Sequence, residues 1–128
     1  MPSSISTGSN YKIKITNNTN SDIYDYSDGT FTITSSPTVN LSIGNVDVNN
    51  GVIDIDMSNE ESVSGFQFIL SDYPNGISIT GAGGGSSGDY GFTTSSNETG
   101  TILGFSLAGT QIPSGDQTLV KIYFDILN

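Results

Sequence analysis

Asp54 and Asp56 stand two apart in the stretch Ile53-Asp54-Ile55-Asp56-Met57, with Asp47 a little upstream. On a strand, side chains at i and i+2 share one face. Two such carboxylates can share a hard cation, and calcium is the candidate. The competing reading is a plain solvated strand face. Asp22, Asp25 and Asp28 form a second acidic group, in a segment that also holds Asn17, Asn18 and Asn20. Segments dense in Asp and Asn cradle calcium, yet this spacing is neither that of an EF-hand nor that of a dockerin, and turn chemistry explains the same residues. Tyr24 and Tyr26 also alternate along one face. Tyrosine ring faces complement the apolar faces of pyranose sugars, which makes this pair the candidate ligand site. The alternative is a pair of edge tyrosines covering a core.

Other chemistries are closed by composition. The chain has 128 residues and contains no His and no Cys. Arg and Trp are absent too. A His-based triad, a Cys nucleophile, a disulfide and a Cys/His zinc site are therefore excluded. Thirteen acidic residues face only Lys12, Lys14 and Lys121, for a formal charge of -10. No cluster of cations exists to neutralise phosphates, so no nucleic acid is expected as partner. Gly83-Gly84-Gly85 has no following Lys and opens no helix, so it is not a phosphate loop. Glu60, Glu61 and Glu98 fall in expected turns, and nothing places two carboxylates across a cleft as glycosidases require. No enzyme is expected.

Ser (20), Thr (14), Asn (12) and Gly (16) make up nearly half of the chain. These residues disfavour helix interiors and favour turns and strand edges. A hydroxyl- and amide-rich acidic surface suits an extracellular or cell-surface protein, and the charge tolerates salt by screening. No run of 18 apolar residues occurs, so no membrane insertion is expected. Met1-Pro2-Ser3-Ser4 has neither the charged nor the apolar region of a signal peptide. A secretion signal is therefore expected upstream of this sequence, if the protein is secreted. Asn17-Asn18-Thr19, Asn40-Leu41-Ser42 and Asn97-Glu98-Thr99 match the N-glycan pattern, as chance matches would in so polar a chain.

Period-two alternation dominates. Tyr11 to Thr16 and Thr30 to Thr34 read as two strands joined by a long polar connection. Residues 36–40 read as a linker. Leu41, Ile43, Val46 and Val48 follow as a strand with a bulge at Gly44-Asn45, and Asn49-Asn50-Gly51 as a hairpin turn. Ile53, Ile55 and Met57 should face inward, as should Phe66, Phe68 and Leu70. Ile77 to Thr80 is a short strand, Gly81 to Gly88 a flexible loop, and Phe92 to Thr94 another short strand. Leu103, Phe105 and Leu107 mark one face of the next. The last strand should bury Val120, Ile122, Phe124 and Ile126. The expected fold is all-β: an antiparallel β-sandwich or jelly roll over 41–128, Ig-like or cohesin-like, with an N-terminal β-hairpin appendage over 1–35.

Residues 41–128 resemble the cohesin-like β-sandwich domains of extracellular scaffold and surface proteins. The matching stretches are Val63-Ser64-Gly65-Phe66-Gln67-Phe68-Ile69-Leu70, Gly100-Thr101-Ile102-Leu103-Gly104-Phe105, and Ile112-Pro113-Ser114-Gly115 leading into Leu119-Val120-Lys121-Ile122-Tyr123-Phe124. Residues 2–34 resemble the last hairpin of an Ig-like Ser/Thr-rich domain of cell-wall and surface proteins. That match runs through Pro2-Ser3-Ser4, Gly8-Ser9-Asn10-Tyr11-Lys12-Ile13-Lys14-Ile15-Thr16 and Ser27-Asp28-Gly29-Thr30-Phe31-Thr32-Ile33. The resemblance implies a non-catalytic module that mediates adhesion or scaffolding, with other surface proteins or polysaccharide as partners. A second expectation comes from the hairpin itself. Tyr11, Ile13, Ile15, Phe31 and Ile33 form an apolar set with no partner in their own part of the chain. Strand addition between copies of the chain would cover them and build a filament.

Overall fold

A computed structural model describes residues 6–128; Met1 to Ser4, named above for the surface-domain resemblance and for showing no signal-peptide regions, lie outside the described residues. The chain divides into two units between Ser36 and Pro37.

The first unit is one long interrupted hairpin. Strand β1 (Gly8–Tyr11) pairs with β4 (Phe31–Ile33), and β2 (Lys14–Thr16) pairs with β3 (Tyr24–Tyr26). This differs from the expected pairing of Tyr11–Thr16 with Thr30–Ile33. Only Tyr11 lies opposite Phe31, their rings 5.9 Å apart. Ile15 lies opposite Asp25, and the Ser27 N–H donates to the Ile13 carbonyl. The reason is a tighter turn. The Asn17 side-chain oxygen accepts from the N–H groups of Thr19 and Asn20 and from the Thr19 hydroxyl. That knot closes the chain by Ile23 and releases Tyr24 and Tyr26 to pair as strand.

The second unit is an antiparallel sandwich. Its strands are β5 (Val39–Asp47), β6 (Val52–Asn59), β7 (Gly65–Ile69), β8 (Ile77–Gly83), β9 (Thr93–Ser96), β10 (Thr101–Phe105) and β11 (Gly115–Ile126), with a short helix α1 (Gly85–Asp89). One sheet has the order β5-β6-β11-β8, the other β7-β10-β9. Both contribute to one core: Ile53, Ile55 and Met57 from β6, Leu119, Val120, Ile122 and Phe124 from β11, and Ile102 from β10. Phe66, Phe68 and Leu70 pack against it. β5 begins at Val39, inside the stretch read as linker, and its register shifts between Ile43 and Val46, where the Gly44-Asn45 bulge was expected.

Three sequence expectations are corrected. On β10 the inward face carries Ile102 and Gly104, while Leu103, Phe105 and Leu107 are exposed. Gly104 faces Phe66 across the ladder, and a Cβ there would lie 2.2 Å from the ring, so the glycine supplies the space that the ring fills. On β11 the register shifts between Thr118 and Val120, so Leu119 is an extra residue and both Leu119 and Val120 are fully buried. A bulge of this kind lets neighbouring residues face the same side. Ile126, beyond the core, is exposed instead. Finally, Gly81 to Gly88 is not a loose loop. Gly81–Gly83 completes β8, and the glycine run expected to open no helix does open one: Gly84 caps the short α1, which buries Ser86 and Ser87. Gly85, at φ 58°, passes so close to the β11 backbone that a Cβ would meet the Thr118 carbonyl at 2.7 Å. Glycine there permits contact rather than flexibility.

The face assignment of β10 gives a direct check. Ile102→Ala should cost about 2–5 kcal/mol, as for a fully buried aliphatic residue. Leu103→Ala should cost under ~1 kcal/mol. Urea midpoints of the two variants measure both, and equal losses would contradict the assignment.

Candidate functional site

The two layers of the sandwich are unequal. β8 and β9 meet at one side, where the Thr94 hydroxyl donates to the Ala82 carbonyl at 2.7 Å. On the other side the four-stranded sheet ends in β5 and the three-stranded sheet in β7, and among the described residues neither has an outer neighbour. In the ladder Leu41 lies opposite Met57, Ile43 opposite Ile55 and Val46 opposite Ile53. Directly paired residues share a face, so these β5 side chains point the same way as the core residues of β6. Yet Val39, Leu41, Ile43, Val46 and Val48 are all 41–59% exposed, whereas Ile53, Ile55 and Met57 are at most 7% exposed. The opposing sheet is one strand too narrow to cover β5. Leu41, Ile43, Ile55, Phe68 and Leu70 line the resulting groove of about 200 Å³ between β5 and β7.

An uncovered apolar row beside two open strand edges is a place for strand addition. The edges supply unpaired N–H and C=O groups, and the row supplies apolar surface for alternate side chains of an incoming strand. β5 carries no Pro and no Lys over its nine residues, two of the usual devices against edge pairing. Sequence reasoning saw the strand and its bulge but not its exposure. The signal was the count. Seven strands in two antiparallel layers leave one layer short.

The hairpin unit presents two different faces. One holds Tyr24 and Tyr26, edge to face at 5.6 Å, with the Lys14 ammonium 4.3 Å from the Tyr24 ring centre and 5.5 Å from that of Tyr26. Lys14 lies opposite Tyr26 in the ladder. The two rings are about half exposed. They do not cover a core, and the ammonium occupies the space over them by cation–π attraction. Lys14 was not singled out from the sequence, because its neighbour Tyr26 is distant along the chain. The other face carries Ile13, Ile15 and Ile23, which are 58–72% exposed. Of the apolar set expected in the hairpin, Tyr11 and Ile33 are half-buried, and Phe31 is exposed.

The acidic residues are not gathered. Among the described residues no three acidic side chains converge as a metal site. Asp54 pairs with Lys121 at 2.8 Å, and this hydrogen bond raises the Lys121 pKa. Asp56 accepts from the Thr118 hydroxyl. Asp47 accepts from the backbone N–H groups of Asn49 and Asn50 and from the Asn50 amide, closing the β5–β6 turn. Asp22 and Asp28 sit in separate turns, and Asp25 lies within β3. A larger hollow of about 540 Å³ contains Asp72 and Glu98. There Asp72 accepts from the Gly76 and Ile77 N–H groups, which hold its pKa below the usual aspartate value. No helix of the described residues is long and apolar enough to cross a membrane. The chain matches no family model, no curated protein and no solved structure.

The β5 turn has a pH signature. The Asn50 side-chain amide, then the Asn50 and Asn49 backbone amides, hold the Asp47 pKa below its usual value. A depressed carboxylate pKa adds stability above the unfolded-state value and loses it as pH falls through the folded-state value. Asp47→Ala should therefore lower the urea midpoint at neutral pH. The gap from the parent chain should shrink once the pH drops below the ordinary aspartate range, about 4. A gap that stays constant down to strong acid would contradict this role for the charge.

Proposed function

We infer that the chain is a non-catalytic β-sandwich module of a secreted or cell-surface protein. It acts by protein–protein contact, in adhesion or scaffolding. The contact is made by accepting an extended strand along the open β5–β7 side. The observation that carries this reading is the row Leu41, Ile43 and Val46, which faces the core side of its sheet and is still exposed. Solvent contact along such a row is costly, and an added strand removes it.

Three further features support the reading. The acidic, hydroxyl-rich surface suits an extracellular setting. The side-chain chemistry is used structurally: Asp47 and Asp72 hold turns, and Asp54 pairs with a lysine. The cohesin-like resemblance of 41–128 implies an attachment role of the same kind. Polysaccharide contact through Tyr24 and Tyr26 has less support, because Lys14 already stands over both rings.

The test uses an extended peptide of alternating valine and lysine, titrated into isotope-labelled protein at low concentration. Amide shifts should change along β5 and β7, and Ile43→Lys should weaken binding at least tenfold. Shifts confined to other strands, or no binding at all, would contradict strand acceptance at this side.

A further inference from the structure

Asn50-Gly51 and Asn75-Gly76 each join an asparagine to a glycine. Such a pair can lose ammonia without an enzyme. The glycine nitrogen attacks the asparagine side-chain carbonyl carbon, and glycine has no Cβ to block the approach. The fold holds the two pairs very differently.

Asn50 is tied down. It lies in the β5–β6 turn, where its backbone N–H and its side-chain amide both donate to Asp47, the amide at 2.7 Å. Gly51 stands at φ 63°, its carbonyl accepts the Phe124 N–H, and a Cβ there would collide with the Phe124 carbonyl. Ring closure must turn the peptide group between Asn50 and Gly51, and these contacts resist the turn. Asn75 lies in the connection between β7 and β8. Its side chain is exposed and makes no hydrogen bond among the described residues. The restraint there is on its neighbour. The Gly76 N–H donates to Asp72, and the Gly76 carbonyl accepts the Leu127 N–H. The side chain that must swing is free, and one N–H must be released.

We propose that Asn75 is a site of spontaneous deamidation and that Asp47 keeps Asn50 from the same reaction. At Asn75, hydroxide takes the Gly76 amide proton, and the nitrogen bonds to the Asn75 side-chain carbonyl carbon. The carbon–nitrogen bond of the side-chain amide breaks, and ammonia leaves with a proton from water. Water then opens the cyclic imide at either carbonyl and leaves aspartate or isoaspartate at position 75. The product adds a carboxylate to the hollow that already holds Asp72 and Glu98. The isoaspartate form also lengthens the backbone just before β8, where Asp72 holds the Gly76 and Ile77 N–H groups. The hollow is thereby a surface that changes as the molecule ages.

Peptide mapping by mass spectrometry tests this on the full chain, kept folded in mildly alkaline buffer, with enzymatic methylation of isoaspartate as a second readout. Asn75 should convert on the order of tenfold faster than Asn50, the ratio expected for one added hydrogen bond to a charged group. In urea the two rates should converge, because the bonds to Asp47 and the Phe124 contact are lost. In Asp47→Ala, Asn50 should approach the rate of Asn75, while Asn75 converts as in the parent chain. A folded parent chain in which Asn50 converts as fast as Asn75, or in which neither converts, would overturn the proposal. So would a rate ratio that urea leaves unchanged, because the fold would then not be its cause. An Asp47→Ala variant that is folded by circular dichroism and leaves Asn50 as slow as before would overturn the role of Asp47.

Discussion

Four strands lie over three, and the fourth keeps its apolar row in water. Most of the second unit's character depends on that mismatch. The core closes well where the layers overlap: Ile102, Leu119, Val120 and Ile122 are fully buried. At the β8–β9 side the layers touch through a side-chain hydrogen bond. At the β5–β7 side they do not, and a thin core has no further residues to spare. Fully burying an exposed aliphatic side chain contributes about 1.5–3 kcal/mol, and the half-exposed residues of the β5 row have about half of that still to gain. The β5 row therefore holds a large share of the apolar burial that this unit has not yet realised.

The polar residues fit the same account. A chain with so few cations cannot stabilise itself by ion-pair networks, and it forms one salt bridge among the described residues, Lys121 to Asp54. Its carboxylates and amides instead hold turns. Asn17, Asp47, Asp72 and Asn97 each accept from backbone N–H groups a few residues ahead. These local bonds fix where strands begin and end, and so fix which edges stay open. Asn17 and Asp47, from the stretches that suggested calcium, are among them.

The sandwich class was legible because alternation in Ile53 to Met57 and in the last strand follows from burial of one face. The bulge at Gly44-Asn45 was legible because the apolar spacing breaks there. Three things were not. The inward face of β10 was misread because Gly104 has no side chain to mark it; only its partner Phe66, far away in sequence, shows which way it points. The glycine-rich tract after β8 was misread because glycine serves close packing as well as flexibility, and α1 is too short to show a period. The open side was missed because an exposed strand and a covered strand have the same alternation. Exposure depends on what lies opposite, and that is a property of strand order, not of β5 itself.

Hydrogen exchange of the β5 amides with and without the alternating valine–lysine peptide tests the central claim most directly. The account predicts fast exchange of the outward-pointing β5 amides in the free chain. Protection should then rise as the peptide is added, while the amides of β11 stay protected throughout. Protection of β5 that is already complete without the peptide would contradict the account.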